Sequence, residues 1–292
     1  MTKTVLALGM FDGMHIGHKK LIETTVRLAK KEGLEPAVFT FSDHPQKLFG
    51  AKVARLCDND ERLKLMRRIG AVRIEQAEFT RELASLSPER FVDMLVEKMQ
   101  PQTIVAGFNY TFGKGKSGDT SLLTKLAVKK GVGAAIIPPV NFANKPVSST
   151  RIRELIEKGD VQSAQLMLGR AYTLAGAVVE SRRIGRTIGF PTANILPDPS
   201  RAIPQDGVYI SMARVDGDML PAVTNIGTNP TVNGEKRMIE THILDFNGDI
   251  YDKQIEVFFV KRLRGVKKFA DLDELKAQIA SDSRAASEYF GC

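Results

Sequence analysis

Apolar residues in the first half of the chain follow two alternating rhythms. Short continuous runs at Thr4–Leu8, Glu35–Phe41, Ala71–Gln76, Thr103–Ala106 and Val132–Ile137 predict buried strands. Between them, helical spacing predicts helices over His18–Glu32, Asp60–Ile69, Pro88–Lys98 and Thr120–Lys130. Leu21, Ile22, Val26 and Leu28 form the apolar stripe of the first helix, and Gly33 stops it. Ser87 is placed to cap the third. Strands alternating with helices predict an α/β fold with a parallel sheet covered on both faces. Such sheets bind ligands at the carboxyl ends of their strands.

The rhythm changes after about residue 170. Ser149–Lys158 and Val161–Leu168 predict two helices. Tyr172–Glu180, Gly207–Val215, Pro221–Thr224, Ile239–Phe246 and Gln254–Leu263 follow as short β segments separated by Gly, Pro, Asn and Asp. They predict a small antiparallel barrel or sandwich. Asp271–Phe290 predicts a closing helix with Leu272, Leu275 and Ile279 on one face. The predicted domains are residues 1–169 and 170–292.

A chain of 292 residues is comfortable for two domains. Its composition, 43% hydrophobic and 26% charged, is that of a globular protein, not a disordered one. The two cysteines, Cys57 and Cys292, suit neither a disulfide framework nor a metal knuckle, which predicts a reducing cytoplasm. No apolar run approaches the roughly 18 residues that span a bilayer. The apolar stretch Val5–Phe11 is short for a secretory signal, and Asp12 interrupts it. These features predict a soluble protein without a membrane partner. The net charge of +8 predicts anionic ligands. Lys and Arg are scattered in short pairs without interleaved aromatics, which favours small phosphorylated ligands over nucleic acid. Nothing in the sequence sets an oligomeric state.

Two stretches carry chemistry. Gly9-Met-Phe-Asp-Gly-Met-His-Ile-Gly-His18 follows a predicted strand and opens a predicted helix. Glycines allow close backbone approach to a ligand, and a helix N-terminus suits phosphate. His15 and His18 can face one ligand and stabilise charge on phosphorus. The plainer readings are two ordinary turn histidines, or zinc ligands with Asp12 nearby. Val147-Ser-Ser-Thr-Arg-Ile-Arg153 places hydroxyls before two arginines; Ser148 or Ser149 is either a helix cap or part of a phosphate clamp. Farther on, Gly185-Arg-Thr-Ile-Gly-Phe-Pro-Thr-Ala-Asn194 offers glycines and hydroxyls for phosphate, and Thr192 and Asn194 as oxygen ligands for Mg2+. By itself it also reads as a plain Gly/Pro turn.

Together, GxFDGxHxGH and SSTxIR resemble the HxGH nucleotidyltransferases, in the FDG form of prokaryotic bifunctional FAD synthetases. Phe39-Thr-Phe-Ser-Asp-His-Pro45 and Gly107-Phe-Asn-Tyr-Thr-Phe-Gly113 resemble further segments of that family. GRTxGFPTAN, Asn225-Ile-Gly-Thr-Asn-Pro-Thr231 and Ile239-Glu-Thr-His-Ile-Leu-Asp-Phe-Asn-Gly-Asp249 resemble riboflavin kinase segments. The resemblance spans the chain. It implies a Rossmann-like nucleotidyltransferase domain followed by a riboflavin-kinase-like barrel with a terminal helix. It implies ATP, riboflavin and FMN as substrates, with Mg2+.

Carried over residue by residue, His15, His18 and Arg153 would serve adenylyl transfer. Gly9, Phe11, Asp12, Gly17, Ser148, Ser149, Thr150 and Arg151 would line the nucleotide side of that site. Asn109 would hold a substrate group, and Phe41, His44 and Tyr110 would wall the flavin side. Glu240 would be the kinase base, with Gly185, Arg186, Thr187, Gly189, Pro191 and Asn225 binding substrate. Two positions depart from the family. Val179–Gly185 has no early glycine, and Ala222 stands where glycine is common. These departures leave open an adenylyltransferase with an impaired kinase half, or a flavin-binding protein without catalysis.

Overall fold

The computed structural model describes residues 2–180, 189–231 and 234–292, with the backbone alone at 229–231 and 234–236. The chain divides into two compact units, Met1–Ser149 and Thr150–Cys292.

The first unit runs β1 (Thr4–Leu8), α1 (Ile16–Glu32), β2 (Glu35–Phe41), α2 (Asn59–Ile69), β3 (Arg73–Ala77), α3 (Arg81–Ser85), α4 (Pro88–Met99), β4 (Pro101–Gly107), α5 (Thr120–Lys129) and β5 (Gly133–Ile137). A small hairpin, β6 (Asn141–Phe142) and β7 (Lys145–Pro146), follows. The main sheet is parallel, in the order β3-β2-β1-β4-β5.

All residues of β1 are buried because helices cover both faces of the sheet. Leu6 and Leu8 join Phe39, Phe91, Leu95 and Ile104 in one core. Val5 and Ala7 join Ile22, Val38, Met66 and Val105 in the other. An alternating strand would have exposed one of these sets. The helices start at side-chain caps. Asp58 Oδ1 accepts from Glu61 N–H at 2.7 Å, Ser87 Oγ from Arg90 N–H at 3.3 Å and Asp119 Oδ1 from Leu122 N–H at 2.8 Å. The sequence pattern starts α1 at His18, but the helix begins two residues earlier because His15 is its cap.

The second unit contains α6 (Ser149–Glu157, beginning on the last residue of the first unit), α7 (Val161–Leu168), β8 (Tyr172–Val179), β9 (Ala193–Ile195), β10 (Gly207–Val215), β11 (Asp218–Thr231), β12 (Gly234–Ile243), β13 (Gln254–Arg264) and α8 (Leu272–Phe290). Its strands close an antiparallel barrel in the order β10-β11-β12-β9-β8-β13, which leaves no open sheet edge. Of the two predicted architectures, barrel and sandwich, the barrel is the one that forms. β11 extends beyond the predicted Pro221–Thr224 at both ends, and β12 starts well before the predicted Ile239–Phe246 but ends at Ile243, because their ladder runs from Ala222↔Ile243 to Thr231↔Gly234. β9 was not predicted at all.

Within the barrel wall Ser211, Thr224 and Thr241 are fully buried and form a hydroxyl ladder, 2.7 Å between the first two and 3.0 Å between the last two. Val208, Ile210, Val223 and Leu244 pack against Ala286 of α8. Among the described residues, no helix is long and apolar enough to cross a membrane.

An ion pair fastens α8 to β13. Asp282 accepts from Arg264 Nε at 3.1 Å and Nη2 at 2.8 Å, and from Gln278 at 3.0 Å, with only 8% of its side chain exposed. Removing one partner leaves a buried charge uncompensated. Asp282→Ala is expected to destabilise the second unit by about 3 kcal/mol, read from its urea unfolding midpoint. A loss under about 1 kcal/mol would put this pair with ordinary surface bridges.

Candidate active sites

In the first unit β1 lies between β2 and β4, where the strand order reverses. The connections leave β1 and β4 in opposite directions there, and a crevice opens at their carboxyl ends. Gly9–His18 fills the β1 side. The backbone turns into α1 through left-handed residues at Phe11 (φ 56°), Gly13 (φ 76°) and Met14 (φ 43°). Phe11 is fully buried and lies over Gly9, where a Cβ would meet its ring at 2.9 Å. Only glycine fits there.

His15 Nδ1 caps α1 by accepting the His18 N–H at 3.2 Å. An accepting nitrogen carries no proton, so the His15 proton sits on Nε2. The His15 and His18 rings stack at 3.5 Å with 17° between their planes. A Cβ on Gly17 would come within 3.1 Å of the His15 ring, so the glycine between them permits the stack. Phe11 meets His18 edge-on at 5.3 Å. His18 Nδ1 is buried without a protein partner. Burial, then His15, then the Arg62 cation hold the His18 pKa well below the ordinary imidazole value. The His18 N–H of the first turn of α1 is spent on His15 Nδ1, and a helix N-terminus of this kind favours anions.

Asp12 is a brace within the loop. It is buried, its Oδ1 accepts from Leu56 N–H at 3.0 Å, and its carbonyl accepts from Ser149 Oγ at 2.9 Å. The Ser149 hydroxyl is therefore tied to the histidine loop. Thr150, Arg151 and Arg153 lie on α6 within the second unit, and Ser148 immediately precedes that helix.

The proposed flavin-side residues sit on neighbouring strand ends. Phe41 ends β2 and packs edge-on against Phe79 at 5.0 Å. His44 Nδ1 accepts from Gln46 N–H at 3.3 Å and caps a short turn. Asn109, just past β4, is exposed. Tyr110 stacks on Phe112 at 5.9 Å, and burial raises its phenol pKa so that it remains a donor.

Sequence reasoning did not single out Arg62. It is 4% exposed and donates to Met10 O at 2.9 Å, Phe41 O at 2.6 Å and Asn59 Oδ1 at 2.6 Å. On a helix rich in Glu, Lys and Arg, nothing in the sequence marks one arginine as inward-facing.

In the second unit the barrel register assembles the other site. Glu240 of β12 pairs with Asn225 of β11 on one side and Asn194 of β9 on the other. Directly paired residues project from the same face, so the three stand side by side. Thr192 and Asn194 line a cleft of about 310 Å3 with Pro191, Thr241, Phe246 and Asp249. Asn194 Nδ2 donates to Thr192 O at 3.1 Å and Thr192 Oγ1 at 3.3 Å, which turns its Oδ1 away. That Oδ1 is buried without a protein partner. An orphaned oxygen beside a threonine hydroxyl fits a hard cation such as Mg2+. Pro191 O accepts from His242 Nδ1 at 2.8 Å, and Gly189 has φ 88°. Ala222 is fully buried in β11, which accommodates its methyl group. Gly185, Arg186 and Thr187, with most of the departing loop before them, lie outside the described residues.

Two family models match the chain: FAD synthetase over residues 1–151 and riboflavin kinase over residues 168–290. The bifunctional riboflavin kinase/FMN adenylyltransferase of Bacillus subtilis (strain 168) is 36% identical over 99% of this chain and 93% of that protein. The Escherichia coli (strain K12) protein of the same name is 35% identical over 98% and 93%. A crystal structure titled as a macrolide-efflux protein from Streptococcus pneumoniae superposes with TM-score 0.90 at 33% identity, over 98% of this chain and 94% of that one.

A lowered His18 pKa has a thermodynamic signature. Below the unfolded-state value of about 6.5 the unfolded chain gains a proton that folded His18 refuses. Its contribution therefore penalises folding as pH falls through about 6.5 and vanishes above it. The melting midpoint of the first unit should fall less between pH 7 and pH 5.5 in His18→Asn than in the native chain. NMR should find native His18 neutral at pH 6. An imidazole titrating near 6.5 would contradict its burial.

Proposed function

We propose how two sites divide the work of a chain that belongs to the bifunctional riboflavin kinase/FMN adenylyltransferase family. The protein phosphorylates riboflavin with ATP to give FMN, and adenylylates FMN with ATP to give FAD and pyrophosphate. We assign the second reaction to the Gly9–His18 crevice and the first to the barrel, with the functional division at Gly169, the left-handed cap of α7. The two matched stretches, 1–151 and 168–290, support that division.

In adenylyl transfer an FMN phosphate oxygen attacks the α-phosphorus of ATP, and the bond to the β-phosphate oxygen breaks. His15 and His18 donate to the phosphate oxygens as charge builds. The α1 N-terminus, with Gly9, Phe11, Asp12 and Gly17 shaping the loop, receives the phosphates. Ser148, Ser149, Thr150, Arg151 and Arg153 hold the triphosphate and the departing pyrophosphate; Ser149 and Arg153 are one turn apart on α6. Asn109 binds a flavin group, and Phe41, His44 and Tyr110 wall the flavin. The stacked histidine pair at the strand-order reversal is the observation that carries this assignment.

In the kinase reaction Glu240 takes the proton of the riboflavin 5′-hydroxyl, whose oxygen attacks the γ-phosphorus while ADP departs. Asn225 orients the substrate. Gly185, Arg186, Thr187, Gly189 and Pro191 receive ATP. Thr192 and Asn194 hold Mg2+, which when bound offsets phosphate charge. Two free thiols, Cys57 and Cys292, accord with a reducing cytoplasm as the site of action.

The assignment predicts separable losses. His18→Ala should lower FAD formation from FMN at least about 100-fold and leave FMN formation from riboflavin within about twofold. Glu240→Gln should do the reverse. Paired assays with each flavin, ATP and Mg2+ decide it; a variant that silences both reactions while folded defeats the two-site division. Asn194→Ala should weaken Mn2+ binding by the kinase site about tenfold, read by electron paramagnetic resonance.

A further inference from the structure

We propose that Arg62 is a positioning residue for adenylyl transfer. Its guanidinium ties the Met10 carbonyl of the histidine loop to the carboxyl end of β2 and so fixes where His15 and His18 stand. The inference rests on the assignment of those histidines made above.

Three observations converge on it. The first is burial. At 4% exposure the cation has left water, a cost that only good hydrogen bonds offset. The second is the choice of partners. Nη1 donates to Met10 O at 2.9 Å, while Nη2 donates to Phe41 O and Asn59 Oδ1, each at 2.6 Å. Asn59 is in turn held by Gln76 Nε2 at 2.6 Å. A planar fork with fixed donor directions spans two backbone segments that a single ammonium cannot span equally. All three acceptors are uncharged; Asp12 and Asp43 act on the guanidinium only through space and do not outweigh its burial.

The third is the loop itself. Left-handed residues at Phe11 and Met14 are strained and persist only where surrounding contacts hold them. Met10 O also accepts from Thr40 Oγ1 at 3.2 Å, and Asp12 is pinned through Leu56 and Ser149. Arg62 is the cationic member of this set. His15 from its own turn and Arg62 from α2 are the titratable and charged groups acting on His18, and Phe11 faces it with an apolar edge. The buried Arg62 cation, acting after burial and His15, disfavours imidazolium and helps keep His18 in the neutral form.

The test uses the full chain with Arg62→Met, which removes charge and donors at similar length, and Arg62→Lys, which keeps the charge. FAD formation from FMN is measured against pH, the melting midpoint of the first unit reports its folding, FMN formation from riboflavin reports the second unit, and His18→Ala runs in parallel. Arg62→Met is expected to lower kcat for FAD formation about 100-fold, the cost of a misplacement on the order of 1 Å. The acid limb of its kcat/KM profile should move to higher pH. Arg62→Lys should lose about tenfold in kcat with the acid limb unmoved. Native kcat in Arg62→Met, an unmoved acid limb in Arg62→Met, or a loss confined to KM would each overturn the proposal. If Arg62→Met fails to fold, Arg62→Lys decides: native kcat, or equal loss of both reactions, rejects the positioning role. His18→Ala with native FAD formation would sink the underlying assignment instead, a result distinct from all of these.

Discussion

The first unit depends on how little backbone separates the end of β1 from the start of α1. A parallel strand buried on both faces has to leave its sheet at the carboxyl end, and here it does so where the strand order reverses. To enter a helix at once, the chain adopts left-handed conformations at Phe11, Gly13 and Met14. Those conformations place Phe11 over Gly9 and set His15 as the cap of α1, which brings the His18 ring onto the His15 ring. Site geometry and helix start are therefore one event. The same nitrogen that satisfies the His18 N–H also dictates the His15 tautomer.

Such a loop is costly unless it is held, and its supports come from distant sequence. Thr40, Leu56 and Arg62 reach the Met10 carbonyl or the Asp12 carboxylate, and Ser149 reaches the Asp12 carbonyl. Asp12, so close to the histidines, spends its carboxylate on the backbone of the segment leading to α2.

The barrel solves its problem by register instead of strain. Antiparallel pairing puts Asn194, Glu240 and Asn225 on adjacent strands at the same level. A slip of one residue would turn each of them to the other face. Behind them the buried hydroxyls of Ser211, Thr224 and Thr241 satisfy one another across neighbouring strands, a ladder that apolar packing alone would not place in register.

Much of this was legible in the sequence. The five parallel strands, the helices between them, the β-rich second half and the terminal helix follow from periodicity, because a two-sided core demands continuous apolar runs and a covered helix demands a stripe. Local motifs marked His15, His18, Asn194 and Glu240, since their spacing is short-range. Other features were hidden because they are properties of long-range pairing. β9 is three residues inside a glycine- and proline-rich motif, and only its neighbours make it a strand. The lengths of β11 and β12 were set by the ladder between them. Arg62 looks like any charge on an amphipathic helix until β2 and the Gly9–His15 loop close around it. Asp12 reads as a binding residue in the sequence, and only the fold shows its Oδ1 accepting from Leu56 N–H. The sequence determined which residue types were available and which elements they form, because those depend on neighbours a few positions away. Tertiary structure decided which polar atoms were spent on the backbone and which, like His18 Nδ1 and Asn194 Oδ1, were left buried without a protein partner, because that depends on groups brought together from across the chain.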